Sequence, residues 1–271
     1  MNRFFAFLTQ HHDAPLNMKE KVLESCILSS VIYNCESWGN AYLVNLEKKY
    51  RKALKYMLGI RKSACNEFPY LELGKPTITS IVRKRQLKFY RNCMIHKDFP
   101  MQRYIIRKAM DANCSFINHY MELNTKYNDP EDITRESMIN LRDSVTAKAN
   151  LNRSRYVAYS KMNPSYQRPS LYDTYIPTCK SQAVSRIRIG SHNLQSERGR
   201  HHILTTPSNE RLCTCGLVED ESHFIQHCSQ YTHIRSKYTE LQNLSLSQKL
   251  DNIKTADYIT ELLECRKLFE S

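Results

Sequence analysis

The amino-acid sequence predicts a mainly α-helical protein, with a basic helical bundle followed by a small helical C-terminal unit. Apolar residues recur at helical spacing in several segments, which Gly39, Gly59 and Gly74 separate. Charge is a further observation: residues 1–110 carry 20 Lys and Arg against 8 Asp and Glu, whereas residues 111–271 carry 20 against 19. This asymmetry predicts a polyanionic partner, RNA or DNA, mainly at the first 110 residues.

The composition is that of a globular protein. Apolar residues make up 41% and charged residues 25% of the chain, and no apolar run approaches the ~20 residues that span a bilayer. The opening MNRFFAFLTQHHD lacks the long apolar region and cleavage site of a signal peptide. We therefore expect a cytoplasmic or nuclear protein without a membrane partner or a small-molecule substrate. In such reducing compartments, clustered cysteines indicate metal ligands rather than disulfides.

Residues 1–110 form the first predicted domain, made of helices with short breaks. Asn17 can cap a helix with apolar positions at Val22, Leu23, Cys26, Ile27 and Val31. The next helix has an apolar stripe of Leu46, Tyr50, Ala53, Leu54 and Met57. A third, over about residues 77–96, places Ile78, Val82, Phe89 and Cys93 on one side.

The opposite faces of these last two helices are basic. The residues predicted to contact phosphates lie on these faces, beside them or between the two helices. They are Lys48, Lys49, Arg51, Lys52, Lys55, Arg61, Lys62, Lys84, Lys88 and Arg91. Lys and Arg side chains displace condensed counterions from a phosphate backbone, so two such faces suit nucleic acid. A solvated surface that only aids solubility is the alternative interpretation.

Residues 111–180 are predicted to be a helical and irregular connector. One helix is expected there, capped near Asp132 or Thr134. The prolines at 164, 169 and 177 then predict irregular chain.

Residues 181–271 are predicted to form a C-terminal unit that closes with a helix around residues 252–268. The unit opens with a basic stretch. Its predicted nucleic-acid contacts are Arg186, Arg188, Arg198 and Arg200, and a further predicted contact is Arg211. These contacts would position a strand without reading its sequence.

The segment RLCTCGLVEDESHFIQHC within this unit offers metal ligands. Cys213, Cys215, His223 and Cys228 are the ligand types of a closed, tetrahedral structural Zn²⁺ site. Gly216 and the acidic residues after it provide a polar, turn-capable loop between the two ligand pairs. His227 is a rival ligand, since on a regular helix it lies one turn beyond His223. Free cysteines in a folded loop are the remaining alternative.

Several segments resemble, in matching order, the region after the catalytic palm in non-LTR (LINE-type) retrotransposon reverse transcriptases. They are DAPLNMKEKVLESCILSSVIYNCESWGN, LEKKYRKALKYMLGIRKSACNEFPYLELGKPTI, VSRIRIGSHNLQSERGRH and RLCTCGLVEDESHFIQHCSQY. The resemblance implies a thumb-like helical domain in residues 1–110 and a Cys-Cys-His-Cys zinc knuckle over residues 213–228. One departure is that a single residue, Thr214, separates the first two cysteines, where the family more commonly has two.

The family's polymerase activity is not expected of this chain. Polymerisation requires adjacent palm aspartates that hold two metal ions, and the sequence contains no Asp-Asp pair. We therefore expect a non-catalytic nucleic-acid-binding segment from which palm and fingers are missing. The alternatives are an inactive retroelement fragment, or a protein-interaction scaffold that binds another protein or the palm and fingers in trans. In the scaffold hypothesis Phe4, Phe5, Phe7 and Leu8 are exposed.

Overall fold

A computed structural model describes residues 1–38, 42–95, 100–201 and 206–270. Its α-helices are α1 (Asn2–Gln10), α2 (Leu16–Val22), α3 (Ser29–Val31), α4 (Cys35–Trp38), α5 (Leu43–Met57), α6 (Phe68–Leu73), α7 (Ile78–Ile95), α8 (Pro100–Asp111), α9 (Ser115–Lys126), α10 (Pro130–Asn150), α11 (Ser154–Met162), α12 (Thr178–Ile189), α13 (Gln195–His201), α14 (Thr232–Arg235), α15 (Thr239–Gln242), α16 (Leu246–Asp251) and α17 (Thr255–Glu270). A π-helical segment, Leu23–Leu28, joins α2 to α3, and another covers His223–His227. Short 3-10 turns cover Ser170–Asp173, Ser208–Glu210 and Ser229–Tyr231.

The predicted mainly α-helical fold is confirmed. No sheet forms among the described residues, where the only β-pairing is an isolated antiparallel bridge between Leu212 and Val218. The predicted helix over residues 77–96 is α7, and the one over residues 252–268 is α17. No helix in the described part of the chain is both long and apolar enough to cross a bilayer.

The helix of the connector begins earlier than predicted. Asp129, rather than Asp132 or Thr134, caps α10: its carboxylate accepts a hydrogen bond from the Glu131 N–H at 3.0 Å. The side chain of Asp132 in turn accepts from the Asp129 N–H at 3.3 Å, so Asp132 fills the third helical position of a capping box. Pro130 takes the first helical position, where its missing N–H is not needed.

One hydrophobic cluster takes residues from all three predicted stretches. Its buried members range from Phe4 through Tyr159 to Leu262. Two hydrogen bonds also connect the first stretch to more distant chain: Lys19 Nζ donates to Thr178 Oγ1 at 3.0 Å, and the Arg61 N–H donates to Ser191 Oγ at 2.8 Å. A separate, smaller cluster lies among α7, α8 and α9. The N-terminal and C-terminal regions of the chain therefore share a core.

The N-terminal apolar residues are used within the chain itself. Phe4 and Leu8 are buried in the shared core, and Phe5 and Phe7 are half-buried against it. The expectation that this segment presents an exposed apolar surface is therefore wrong. Phe4 and Leu8 are buried because α1 is amphipathic: the two residues lie four positions apart, on one face of the helix.

A buried ion pair joins α6 to α12. Glu72 is 0% and Arg188 3% exposed, and the Arg188 Nε–H donates to Glu72 Oε1. The hydroxyls of Tyr159 and Tyr172 donate to the same carboxylate at 3.0 and 3.2 Å. Because its charge is compensated here, Arg188 is a structural residue and not the phosphate contact that the sequence predicted.

Candidate metal centre and basic surfaces

The structure brings Cys213, Cys215, His223 and Cys228 together. Their ligand atoms all lie within 4.8 Å of one another. Cys213 Sγ is 3.7 Å from Cys228 Sγ, and Cys215 Sγ is 3.2 Å from His223 Nε2. Three sulfurs and one imidazole nitrogen at such distances form a cluster that could hold a metal ion.

The first two cysteines lie on a tight reversal of the chain. The Cys213 N–H donates to the Leu217 carbonyl at 2.7 Å, and the Gly216 N–H donates to the Cys213 carbonyl at 2.9 Å. Gly216 has φ +88°, a conformation that residues with a Cβ rarely adopt. The turn and the bridge between Leu212 and Val218 therefore direct both thiols to the same side.

The other two ligands lie at the two ends of a π-helical turn. The Asp220 carboxylate accepts from the His223 N–H at 2.7 Å, which caps the turn, and Cys228 follows its last residue. Phe224 and Ile225, between them, are fully buried. His227 is exposed and is not a member of the four-residue group.

The environment of the cluster changes the proton affinity of its members. Burial lowers the pKa of His223, which favours the neutral imidazole that metals require. Burial by itself would raise the pKa of Cys215, but hydrogen bonds from the Leu217 N–H and the Cys213 thiol lower it. Burial raises the pKa of Cys228 to about 12. A metal ion stabilises the thiolate form of the cysteines that coordinate it.

Two buried carboxylates tie the metal-ligating loop to the rest of the protein. Glu219 accepts two hydrogen bonds from Arg266 of α17, at 2.9 Å each. Glu221 Oε1 lies 2.8 Å from His192 Nε2, while His192 Nδ1 accepts from the Leu194 N–H at 3.2 Å. The polar turn expected from the sequence thus includes carboxylates that face inward. Sequence reasoning missed both pairs, because their members lie 47 and 29 residues apart.

The predicted phosphate contacts of the first domain divide into three groups. Exposed residues are Lys48, Lys49, Lys52, Lys62 and Lys88, and half-buried ones are Arg51, Arg61, Lys84 and Arg91. Three of the half-buried group bind within the protein: Lys84 pairs with Glu131, Arg91 donates to Asn124 and to backbone carbonyls, and Arg61 donates to the His192 carbonyl and to Asn193 Oδ1.

Lys55 is the exception, since it is buried. Its Nζ donates to the Lys62 carbonyl at 2.9 Å, to the Ala64 carbonyl and to Asn66 Oδ1 at 3.0 Å. Burial lowers the pKa of this ammonium group. The predicted phosphate contact at Lys55 is therefore wrong, because the loop after α5 folds back over the side chain.

The C-terminal arginines divide in the same way. Arg186 and Arg198 are exposed, Arg188 is buried, and the side chain of Arg200 lies outside the described residues. Arg211 is half-buried, and its guanidinium donates to the carbonyls of Thr206 and Ser196. Arg211 therefore stabilises the chain before the metal-ligating turn.

Comparisons of the chain with protein-family models, with curated proteins and with solved structures give no match. The resemblance to non-LTR reverse transcriptases stays a prediction that rests on the sequence segments quoted above.

Proposed function

We propose that this chain is a non-catalytic nucleic-acid-binding segment of retrotransposon origin, and that a structural Zn²⁺ ion holds its C-terminal unit. The four clustered ligand atoms of Cys213, Cys215, His223 and Cys228 are the observation that supports zinc. Thiolates and imidazole select Zn²⁺ over the hard cations Mg²⁺ and Ca²⁺. Four protein ligands leave no position for an activated water, so the ion stabilises the fold and does not catalyse.

The proposed nucleic-acid contacts start from an exposed stripe on α5, which we call the lysine stripe: Lys48, Lys49 and Lys52. Lys52 lies four residues after Lys48 and three after Lys49, so the three share one face of the helix. Among the described residues no carboxylate lies within 4.0 Å of their ammonium groups. Lys52 Nζ lies over the ring of Phe5, 4.9 Å from its centroid, which orients the charge without neutralising it.

Unpaired cations on one helix face favour phosphate contacts over a merely solvated surface. Each lysine that neutralises a phosphate releases condensed counterions, so three such contacts would reduce affinity roughly 20- to 40-fold between 50 and 200 mM salt. The charge excess of residues 1–110 supports the same partner. A sequence without adjacent aspartates supports binding without polymerisation.

Two measurements test this function. Elemental mass spectrometry of the purified chain should give one zinc per chain. Fluorescence anisotropy with labelled RNA and DNA should show binding that weakens steeply with salt. Absence of binding, or nucleic-acid binding that is indifferent to salt, would contradict the proposed phosphate contacts.

A further inference from the structure

A groove runs along the junction of the C-terminal end of α5, α12 and α17. It consists of a larger and a smaller cavity, with volumes of about 630 and 520 Å³. Both cavities are lined by Gly59, Ile60, Cys179 and Arg186, so they adjoin one another. Each volume is within the range that accommodates a small organic ligand.

Three exposed or half-buried cations of the groove have no carboxylate within 4.0 Å among the described residues: Arg61, Arg186 and Lys267. Neutral acceptors hold the two guanidinium groups. The Arg186 Nε–H donates to the Gly59 carbonyl at 2.7 Å, and Arg61 Nη2 donates to the His192 carbonyl at 3.0 Å and to Asn193 Oδ1 at 2.6 Å. Such bonds orient an arginine and leave its charge available to an anion.

The other charged residues of the groove are paired, buried or acidic. Arg266 already binds Glu219, whereas Lys19 is buried and donates to the carbonyl of His12 and to Thr178. Two carboxylates, Glu264 and Asp13, lie at the lining. The three unpaired cations therefore leave the groove electropositive.

The groove also offers surfaces against which bases can stack. Ile60, Ile187 and Leu263 give the larger cavity an apolar lining. Tyr56 is 44% exposed, follows Lys52 by one helical turn and lines the smaller cavity. The ring of Phe5 packs edge-on against Tyr56, with centroids 6.0 Å apart, and holds it in place. The lysine stripe thus leads directly to the groove.

We propose that a single strand of nucleic acid follows this groove, with phosphates at Arg61, Arg186 and Lys267 and an unpaired base against Tyr56. This inference rests on the proposed nucleic-acid binding and adds the form of the ligand. Stacking on a tyrosine requires an unpaired base, whereas a duplex keeps its bases inside.

Anisotropy with a labelled 12-nucleotide oligouridylate, an oligothymidylate and a 12-base-pair duplex tests the inference. The double variant Arg186→Ala/Lys267→Ala should weaken single-strand binding at least tenfold and duplex binding less than twofold. Tyr56→Leu should weaken single-strand binding about tenfold, the effect of one lost base stack. The matched control Arg153→Ala/Lys161→Ala removes two exposed cations outside the groove and should change single-strand binding less than twofold.

Failure of the proposed function and failure of the groove give different results. If the protein without substitutions binds no nucleic acid, the proposed function itself is overturned. If Lys48→Glu/Lys52→Glu abolishes single-strand binding but the groove variants retain it, the proposed function stands. The inference that the strand follows the groove is then overturned. Competition by adenosine monophosphate as effective as by the oligonucleotide would indicate a mononucleotide site and also overturn the strand path. If the double variant has a lowered melting temperature, Lys267→Glu alone, at an exposed position of α17, tests the inference: it should weaken single-strand binding.

Discussion

The sulfur atoms of Cys213 and Cys228 lie 3.7 Å apart although the two residues are 15 positions apart in the chain. Two thiolates bound to one tetrahedral Zn²⁺, with Zn–S bonds of about 2.3 Å, would be about 3.8 Å apart. The polypeptide therefore holds this pair at the spacing that a shared zinc ion requires.

Replacing Cys213 and Cys215 with serine should remove zinc and lower the melting temperature, because metal binding contributes folding free energy to such loops. The control is Cys26→Ser/Cys179→Ser, which changes two exposed cysteines outside the group and should retain one zinc per chain. Metal content by mass spectrometry and thermal melting with and without a chelator measure both effects. Full metal content in the first variant would refute the assignment of the ligands.

Substitution of Lys55 should affect stability, whereas substitution of Lys52 should affect nucleic-acid affinity. Lys55→Met leaves buried oxygen acceptors without a donor and should reduce the free energy of unfolding by about 1–3 kcal/mol. Lys52→Met removes an exposed charge and should reduce nucleic-acid affinity while leaving stability within about 0.5 kcal/mol. Urea denaturation together with anisotropy separates the two. Equal stability of both variants would contradict the buried position of Lys55.

Arg188→Met should destabilise the protein by about 3–5 kcal/mol, because it leaves the buried Glu72 carboxylate without its partner. The exposed pair of Lys254 and Glu240, 3.2 Å apart, serves as control. Lys254→Met should lower the free energy of unfolding by less than about 1 kcal/mol. Urea denaturation measures both. A small effect at Arg188 would show that its charge faces solvent and is free for phosphate.

The half-buried Glu67 should make stability depend on pH. Burial by itself would raise its pKa, but hydrogen bonds from Lys148 and Tyr156 and the charge of Lys148 lower the pKa below the ordinary 4.5. A lowered folded-state pKa means that Glu67 contributes stability above pH 4.5, and that this contribution is lost as pH falls through the folded-state pKa.

Glu67→Gln should therefore be less stable than the unchanged chain at pH 7, by about 1.5–3 kcal/mol, the value of hydrogen bonds to a charged group. The difference between the two proteins should shrink as the pH falls below 4.5. Urea denaturation of both proteins at several pH values tests this. A difference that is constant with pH would contradict the ionised pair.

The sequence predicts helices and local ligand spacing well, because both depend on short-range periodicity. α7 and α17 follow from apolar residues at helical spacing, and the close approach of Cys213, Cys215, His223 and Cys228 follows from a turn and a short helical segment. These features need no knowledge of distant contacts.

Features that depend on distant partners were not predictable in this way. A helical projection places Lys55 with Lys48, yet the loop at residues 62–66 covers it. Arg188 has the same local setting as the exposed Arg186, but its partner Glu72 lies 116 residues earlier. The groove joins α5, α12 and α17, and no local pattern marks Lys267 as a lining residue. Composition shows how many charges a chain has, and only tertiary packing decides which are neutralised.

The shared core has a genetic consequence. Because Phe4 and Leu262 belong to one hydrophobic cluster, a premature stop codon upstream of α17 removes a portion of the same core that the first helix needs. Truncated products of the reading frame would expose apolar surface and be cleared by proteases. A truncation before α17 therefore destabilises the helices of residues 1–110, including the lysine stripe on α5, although none of the removed residues belongs to them.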